Sequence, residues 1–454
     1  MELGELKGFD VQRVWEGAVE ILGKIGFKIE NPKIIRRLEV QLPVKNGWVR
    51  FPRELLEVYA QEIRDRAGDV PALPGDKIVI FNSPFNNRYI DPETNQDKPY
   101  DCKAIAEHTK LACQLTQEGL MAGRVTGYPC DVPPRMQLLM LTYVDCIYNT
   151  APRAHCTLNE PAQLKYVCEI AELFGLKRGL DTELISPLKF IGGSIDTAFE
   201  YIDQDISVSI GPMPILGVTA PMDWHMGFAQ TVAENLGSYI IFRLAGFEKV
   251  GLPPFRLFVP NMQTAMIYFS SPKHIMALLA RRKVCEFFGL SAQFAELLLV
   301  TAKRPGCQAA AEKMAGCLLG KMFGFKRLAG AGGLWLDVIF SPVQLMIDVE
   351  ICNYVNSIEA DFAYQQLDLI EVMEAGLAAG GFLDADMTLS NFNRFIWRPK
   401  LFDLSPRASW TGTAMCQKAR GLAEAKTAEY DYELTGQKRE QLERIMARAR
   451  AELS

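Results

Sequence analysis

Apolar residues in this chain form short continuous runs set between longer stretches of helical periodicity. Residues 206–210, 255–260 and 295–300 are nearly uninterrupted apolar segments. Parallel strands covered on both faces read this way, whereas half-exposed strands alternate. The intervening stretches open on a polar cap closely followed by proline: Asp131 before Pro133, Asn159 before Pro161, Thr219 before Pro221, Ser271 before Pro272 and Ser341 before Pro342. A capping side chain accepts orphan amide hydrogens, and proline in the first turn has no amide hydrogen to lose. Several stretches close on glycine followed by an apolar residue, at Gly175, Gly246, Gly289 and Gly324. Glycine just past a helix is a left-handed stop, and the apolar residue after it returns to the core. The stops recur every ~35 to 45 residues or a multiple of that, the length of one strand–helix unit.

From near Asp101 to near Pro399 there is room for seven or eight such units, so the fold expected is α/β, a (β/α)8 TIM barrel. Its strands should lie near Val125, Ala154, Phe190, Ser209, Phe258, Leu298 and Leu328. No GxGxxG follows a strand, which weighs against an open doubly wound sheet. Residues 1–95 read as an N-terminal α/β cap, with helices over 11–23 and 53–64, extended pieces at 48–51 and 77–81, and a turn-rich hairpin over 89–100. Residues 96–400 form the barrel. Residues 401–454 form a C-terminal helical tail, whose Arg/Glu-rich end over 437–453 reads as a solvated strap.

Composition narrows the function. Hydrophobic residues make up 49% and charged residues 23%, and the net charge is −5, so a nucleic-acid partner is not expected. No apolar run is long enough to span a bilayer, and no targeting pattern opens the chain. Eleven cysteines occur with no CxxC pair, which suits free thiols in the cytoplasm.

GxSxG, HExxH and P-loop motifs are absent, and there are four histidines. His108 and His274 fall inside outer helices as surface or packing residues. His155 falls just before a helix start, at the carboxyl end of a barrel strand, where barrel enzymes keep their chemistry. A zinc site from His155, Cys156 and Cys130 has no supporting spacing, so no metal is expected. Arg124, Tyr128, Lys189, Met213, Asn261, Gln263 and the run Gly330, Ala331, Gly332, Gly333 fall at other strand ends. Trp224, Trp335, Tyr128 and Tyr268 are candidates for an aromatic wall around a cation. The glycine run suits either close backbone approach to a large planar group or an awkward turn.

The chain resembles the trimethylamine methyltransferase family. The resemblance rests on GPMPILGVTAP from Gly211, KRPGCQAAAEK from Lys303, MIDVEI over Met346 to Ile351 and FIWRPKLFD from Phe395, with DPET and DVPP earlier. It implies a barrel that moves a methyl group from a methylated amine to Co(I) of a corrinoid (cobalamin) carried by a partner protein, in anaerobic C1 metabolism. Family members acting on trimethylamine carry pyrrolysine, and this chain has standard residues alone. Thr301 also replaces an acidic residue of the family. The donor implied is therefore a quaternary, betaine-like amine. Such a donor leaves as a neutral tertiary amine, so positioning suffices. Arg124, His155, Lys189 or Gln263 would pair with its carboxylate, and residues 330–333 would face the corrinoid. A homo-oligomer is expected. Two other readings stay open: demethylation of an aryl methyl ether, with His155 or Tyr128 as proton donor, and a non-catalytic docking barrel.

Overall fold

Backbone dihedrals follow the glycine punctuation closely. Gly175, Gly246, Gly289 and Gly324 all have positive φ, from 67° to 108°, at or just past the ends of four helices. The computed structural model describes residues 6–68, 77–154, 160–358, 368–409 and 414–453. Helix starts agree in part. Ser271 and Ser341 cap the Pro272–Phe287 and Pro342–Asn356 helices as expected. Thr219 does not cap a helix; its hydroxyl accepts from the Ile215 amide at 2.9 Å, and Asp223 caps the Trp224–Ala245 helix. Asp131 likewise accepts from the Cys102 amide at 3.1 Å, while the next helix begins at Pro134.

The chain is mixed α/β, with parallel strands alternating with helices. Gly179–Thr182, Ser207–Ile210 and Lys249–Val250 pair in parallel in that order. Phe294–Ala295 pairs in parallel with Arg327–Ala329, which pairs in parallel with Val79–Phe81. A strand from the N-terminal quarter thus sits beside the strand latest in the chain among these six. The strand expected near Phe190 is displaced: it is Gly179–Thr182, and Phe190 lies in the following loop, where its amide donates to the Lys28 carbonyl at 2.8 Å. The residue pattern around this strand explains the shift, because Asp181 and its alternating neighbours break the continuous apolar run expected of a buried strand.

Strand faces differ in burial. In Gly179–Thr182, Leu180 and Thr182 are buried while Asp181 is exposed; in Ser207–Ile210, Val208 and Ile210 are buried while Ser209 is partly open. The face bearing Asp181 and Ser209 is polar, and it faces the cavity described below.

Two flanking parts pack on this framework. The Val11–Lys24 helix buries Val14, Trp15, Ala18 and Leu22, and the long Trp224–Ala245 helix is buried along most of its length. The hairpin Arg88–Ile90 with Asp97–Pro99 is antiparallel, as the turn-rich sequence implied, with Asp91 accepting from the amides of Glu93 and Thr94. The Gly436–Leu453 helix is more than a solvated strap. It buries Leu442, Ile445, Met446, Ala449 and Leu453, and Glu443 and Glu452 accept hydrogen bonds from the hydroxyls of Tyr143 and Tyr166 at 2.7 and 2.5 Å. Its periodic apolar positions were masked by a high density of charge. Among the described residues no helix is long and apolar enough to cross a membrane.

Candidate functional site

A cavity of about 590 Å3 runs from Pro84 and Phe85, past the end of the Val79–Phe81 strand, to Gly175 and Lys177 at the entry of Gly179–Thr182. That volume suits a small ligand. Its apolar lining includes Phe85, Leu138 and Leu141, and its charged lining includes Arg124, Arg153 and Asp181.

Asn82 builds the cationic side of this cavity. Fully buried, it accepts from the Arg124 amide at 3.0 Å and donates its own amide hydrogens to the carbonyls of Arg124 and Val125 at 3.0 and 2.9 Å. The Arg124 Nε donates to the Asn82 carbonyl at 3.1 Å, and the guanidinium lies 5.2 Å from the centre of the Phe81 ring. The terminal nitrogens of Arg124 have no hydrogen bond among the described residues. Packing with loss of water, and after it the charge of Arg153, lower its pKa to about 10, so it stays a cation at neutral pH. Opposite in charge, Asp181 accepts from the Ser209 hydroxyl at 2.6 Å. The cavity therefore presents cations and an anion with an aromatic ring, Phe85, on its wall.

A second arc of residues joins the loops at the carboxyl ends of the strands. Tyr128 is half-buried; burial raises its hydroxyl pKa, and a hydrogen bond with Asn87 opposes that rise, with Asp337 close enough to add a small upward push. Trp335 and Leu336 both have positive φ, 44° and 68°, uncommon for bulky residues. Their amides donate to the carbonyls of Ala302 and Val300 at 2.8 and 2.7 Å. Leu336 packs against the cluster of Phe258, Phe269 and Leu299. Thr301 joins Ser270 and Glu312: the Thr301 hydroxyl and amide both donate to the Glu312 carboxylate at 2.9 Å. Gln308 donates to the same carboxylate at 2.7 Å.

The glycine run at 330–333 lies beneath this arc, and all four residues are buried. Gly330 and Gly332 have φ of 111° and 72°. A Cβ on Gly330 would meet the Leu298 carbonyl carbon at 2.5 Å, and one on Gly332 would meet the Phe340 ring at 2.5 Å. The turn and its packing thus account for both glycines. A fully buried ion pair braces the turn. The Lys313 ammonium donates to Asp348 at 2.7 Å and to the Gly330 carbonyl at 2.8 Å. Asp348 also accepts from the Gly332 amide at 2.7 Å and from Gln344 at 2.8 Å.

Of the residues singled out in the sequence, Arg124 lines the cavity, and Ala154 beside it does too. His155 and Cys156 lie outside the described residues. Lys189 is exposed in a loop paired with Lys28. Met213 is exposed. Trp224 lines a separate small cavity with Phe9 and His225. Asn261 and Gln263 lie in one short hairpin between Pro260 and Ile267, in which Asn261 accepts from the Gln263 amide at 2.9 Å, and Tyr268 just past it donates its amide to the Val259 carbonyl at 2.8 Å. Among the described residues singled out, Lys189, Met213, Trp224, Asn261, Gln263, Tyr268, Tyr128, Trp335 and residues 330–333 are not in the lining of the cavity with Arg124. His108 and His274 are buried packing residues. Sequence reasoning missed Asn82, Arg153 and Asp181. The asparagine-rich run after the extended piece at 77–81 was the available signal for the first.

Fold and cavity describe an α/β protein with a charged pocket and, among the described residues, no group of His, Cys, Asp or Glu able to hold a metal ion. The family described as Trimethylamine methyltransferase (MTTB) matches residues 5–454, and the chain belongs to that family. It is a methyltransferase. A comparison with curated proteins gave no match.

Proposed function

We propose that this methyltransferase moves a methyl group from a quaternary ammonium carboxylate, a betaine-like amine, to Co(I) of a corrinoid carried by a partner protein. The observation that carries the reading is that one cavity is lined by charges of both signs, the cations Arg124, Arg153 and Lys177 and the anion Asp181, with Phe85 on the wall. A zwitterionic donor complements this arrangement. Its carboxylate would meet the Arg124 fork, and its ammonium would meet the Phe85 face and the Asp181 charge.

The donor charge also removes the need for an acid. A quaternary nitrogen departs as a neutral tertiary amine, so the chain has to bind the donor, orient one methyl outward and exclude water. The corrinoid supplies the nucleophile that accepts the methyl. Arg124 is suited to orienting, because its Nε is already fixed to the Asn82 carbonyl while its terminal nitrogens are left to the ligand.

The framework is read as a closed (β/α)8 barrel. Pairing of Val79–Phe81 with Arg327–Ala329, a hydrogen bond from the Ala122 amide to the Ile80 carbonyl and a parallel bridge between Ile215 and Phe258 support closure. On this reading the barrel begins near residue 78, and residues 152–154 belong to its third strand.

A donor screen tests the function. The purified protein is mixed with free cob(I)alamin and one donor at a time, and methylcobalamin is followed by absorbance. Turnover is expected with a quaternary ammonium carboxylate and much less with a quaternary ammonium alcohol. Turnover confined to trimethylamine or to an aryl methyl ether, or none with any donor, would overturn the proposal.

A further inference from the structure

Two glycines crowd the carboxyl end of the Gly179–Thr182 strand, and neither has a left-handed φ. Space, not conformation, is the reason for them. A Cβ on Gly192 would meet the Glu183 carbonyl oxygen at 2.7 Å; one on Gly211 would meet the Thr182 carbonyl at 3.0 Å and touch the Glu183 Cγ at 3.9 Å. The Ser194 hydroxyl accepts from the Glu183 amide at 3.0 Å. The backbone of Glu183 is thus fixed from the loop before the Gly193–Glu200 helix, from the helix itself and from the end of the neighbouring strand.

Its carboxylate is left over. Partial burial raises its pKa, the Asp181 charge adds to the rise, and no hydrogen bond or cation among the described residues opposes them. Other buried carboxylates are satisfied: Glu234 accepts from the Leu188 amide, Ser186 and Gln230, and Glu296 lies between Arg256 and Arg281. Direction follows from the sheet. Asp181 pairs in register with Ser209 and accepts from its hydroxyl at 2.6 Å, and two residues on, Glu183 stands against Gly211. Glu183 therefore continues the polar face of the strand, about 7 Å beyond Asp181, which lines the cavity.

We infer that Glu183 is the cation subsite of the donor cavity, facing the quaternary ammonium while Arg124 takes the carboxylate. The identity of the ligand rests on the proposed function. Asp181 is already engaged by Ser209, so Glu183 carries the charge left for a ligand. A quaternary ammonium has no N–H to donate and needs a nearby negative charge, not an aligned acceptor. A carboxylate with a fixed backbone and no bonded partner meets that need, and a ligand cation is what offsets its charge.

Calorimetric binding to the full chain without corrinoid is the test, with trimethylglycine and its carbon isostere 3,3-dimethylbutanoate, which lacks the positive charge. The wild type should favour trimethylglycine by about tenfold or more. Glu183→Gln should lose most of that preference while its Kd for the isostere stays within about twofold. It should melt no lower than wild type, because an unpaired charge beside Asp181 has gone. Glu183→Asp, one methylene shorter, should keep part of the preference. An unchanged preference in Glu183→Gln overturns the inference, as does a wild type that binds both compounds alike or neither. A Glu183→Gln protein that melts lower and loses both ligands equally would also overturn it, making Glu183 structural. Methyl transfer enters none of these readouts. A donor screen without turnover beside an intact preference would remove the transfer and keep the subsite; turnover with trimethylglycine beside an unchanged Glu183→Gln protein would do the reverse.

Discussion

Arg124 is positioned before any ligand arrives, because Asn82 holds both its backbone amide and its Nε. Its guanidinium should therefore orient a carboxylate with little reorganisation. Arg124→Met is expected to raise KM for a carboxylated donor about 10- to 100-fold, the range of a lost charged hydrogen bond of ~1.5–3 kcal/mol, with a small change in melting temperature. Steady-state kinetics with the preferred donor checks this, and an unchanged KM would remove Arg124 from the site. His274 makes a different contribution. Stacked on Phe258, edge-on to Phe269 and buried, it is held neutral, its pKa lowered from 6.5 to about 4 by burial. Its lowered value means that the unfolded chain binds the extra proton first. Stability is thus full above pH 6.5 and is lost as pH falls towards 4, by up to about 1.4 kcal/mol per pH unit. Denaturant melts of His274→Phe at pH 7 and pH 5 should show a smaller acid loss than wild type; equal losses would contradict it.

At the scale of elements, several motifs shared with the family turn out to be tethers. Asp348 and Lys313 hold the 330–333 turn, Glu350 holds the chain at Leu401, Glu312 closes the Thr301 loop, and Asp131 holds the start of the Cys102–Gln117 helix. Gly332→Ala tests the glycine run. Left-handed strain and collision with Phe340 should together cost ~2–5 kcal/mol, lowering thermal stability whether or not a corrinoid is present. A stable Gly332→Ala protein that binds donor but no longer transfers methyl would instead mean that the turn faces the acceptor.

For the whole molecule, the N-terminal quarter is part of the main framework. Val79–Phe81 pairs with Arg327–Ala329, and Gly237 of the long helix approaches Phe27 too closely for any larger side chain. A chain starting at residue 96 would lose that strand and expose the Trp224–Ala245 helix. It is expected to lack a cooperative melt by circular dichroism. A soluble fragment with a sharp transition would show that the first 95 residues are a separable cap.

Local chemistry made much of this protein legible without a structure. Glycine stops at 175, 246, 289 and 324, serine caps at 271 and 341, and the hairpin before Tyr100 depend on neighbours in sequence, so the sequence alone determined them. Family membership was legible too, because it rests on residue order. The tertiary structure alone decided which residues share a cavity. Arg124, Arg153 and Asp181 line one cavity and Asn82 holds Arg124 there, although they are separated along the chain, and no single segment records that meeting. It also decided that the glycine run is braced and buried, since Lys313 and Asp348 lie on different helices. The long charged tail conceals its apolar positions for the same reason: burial is a property of what packs against a helix.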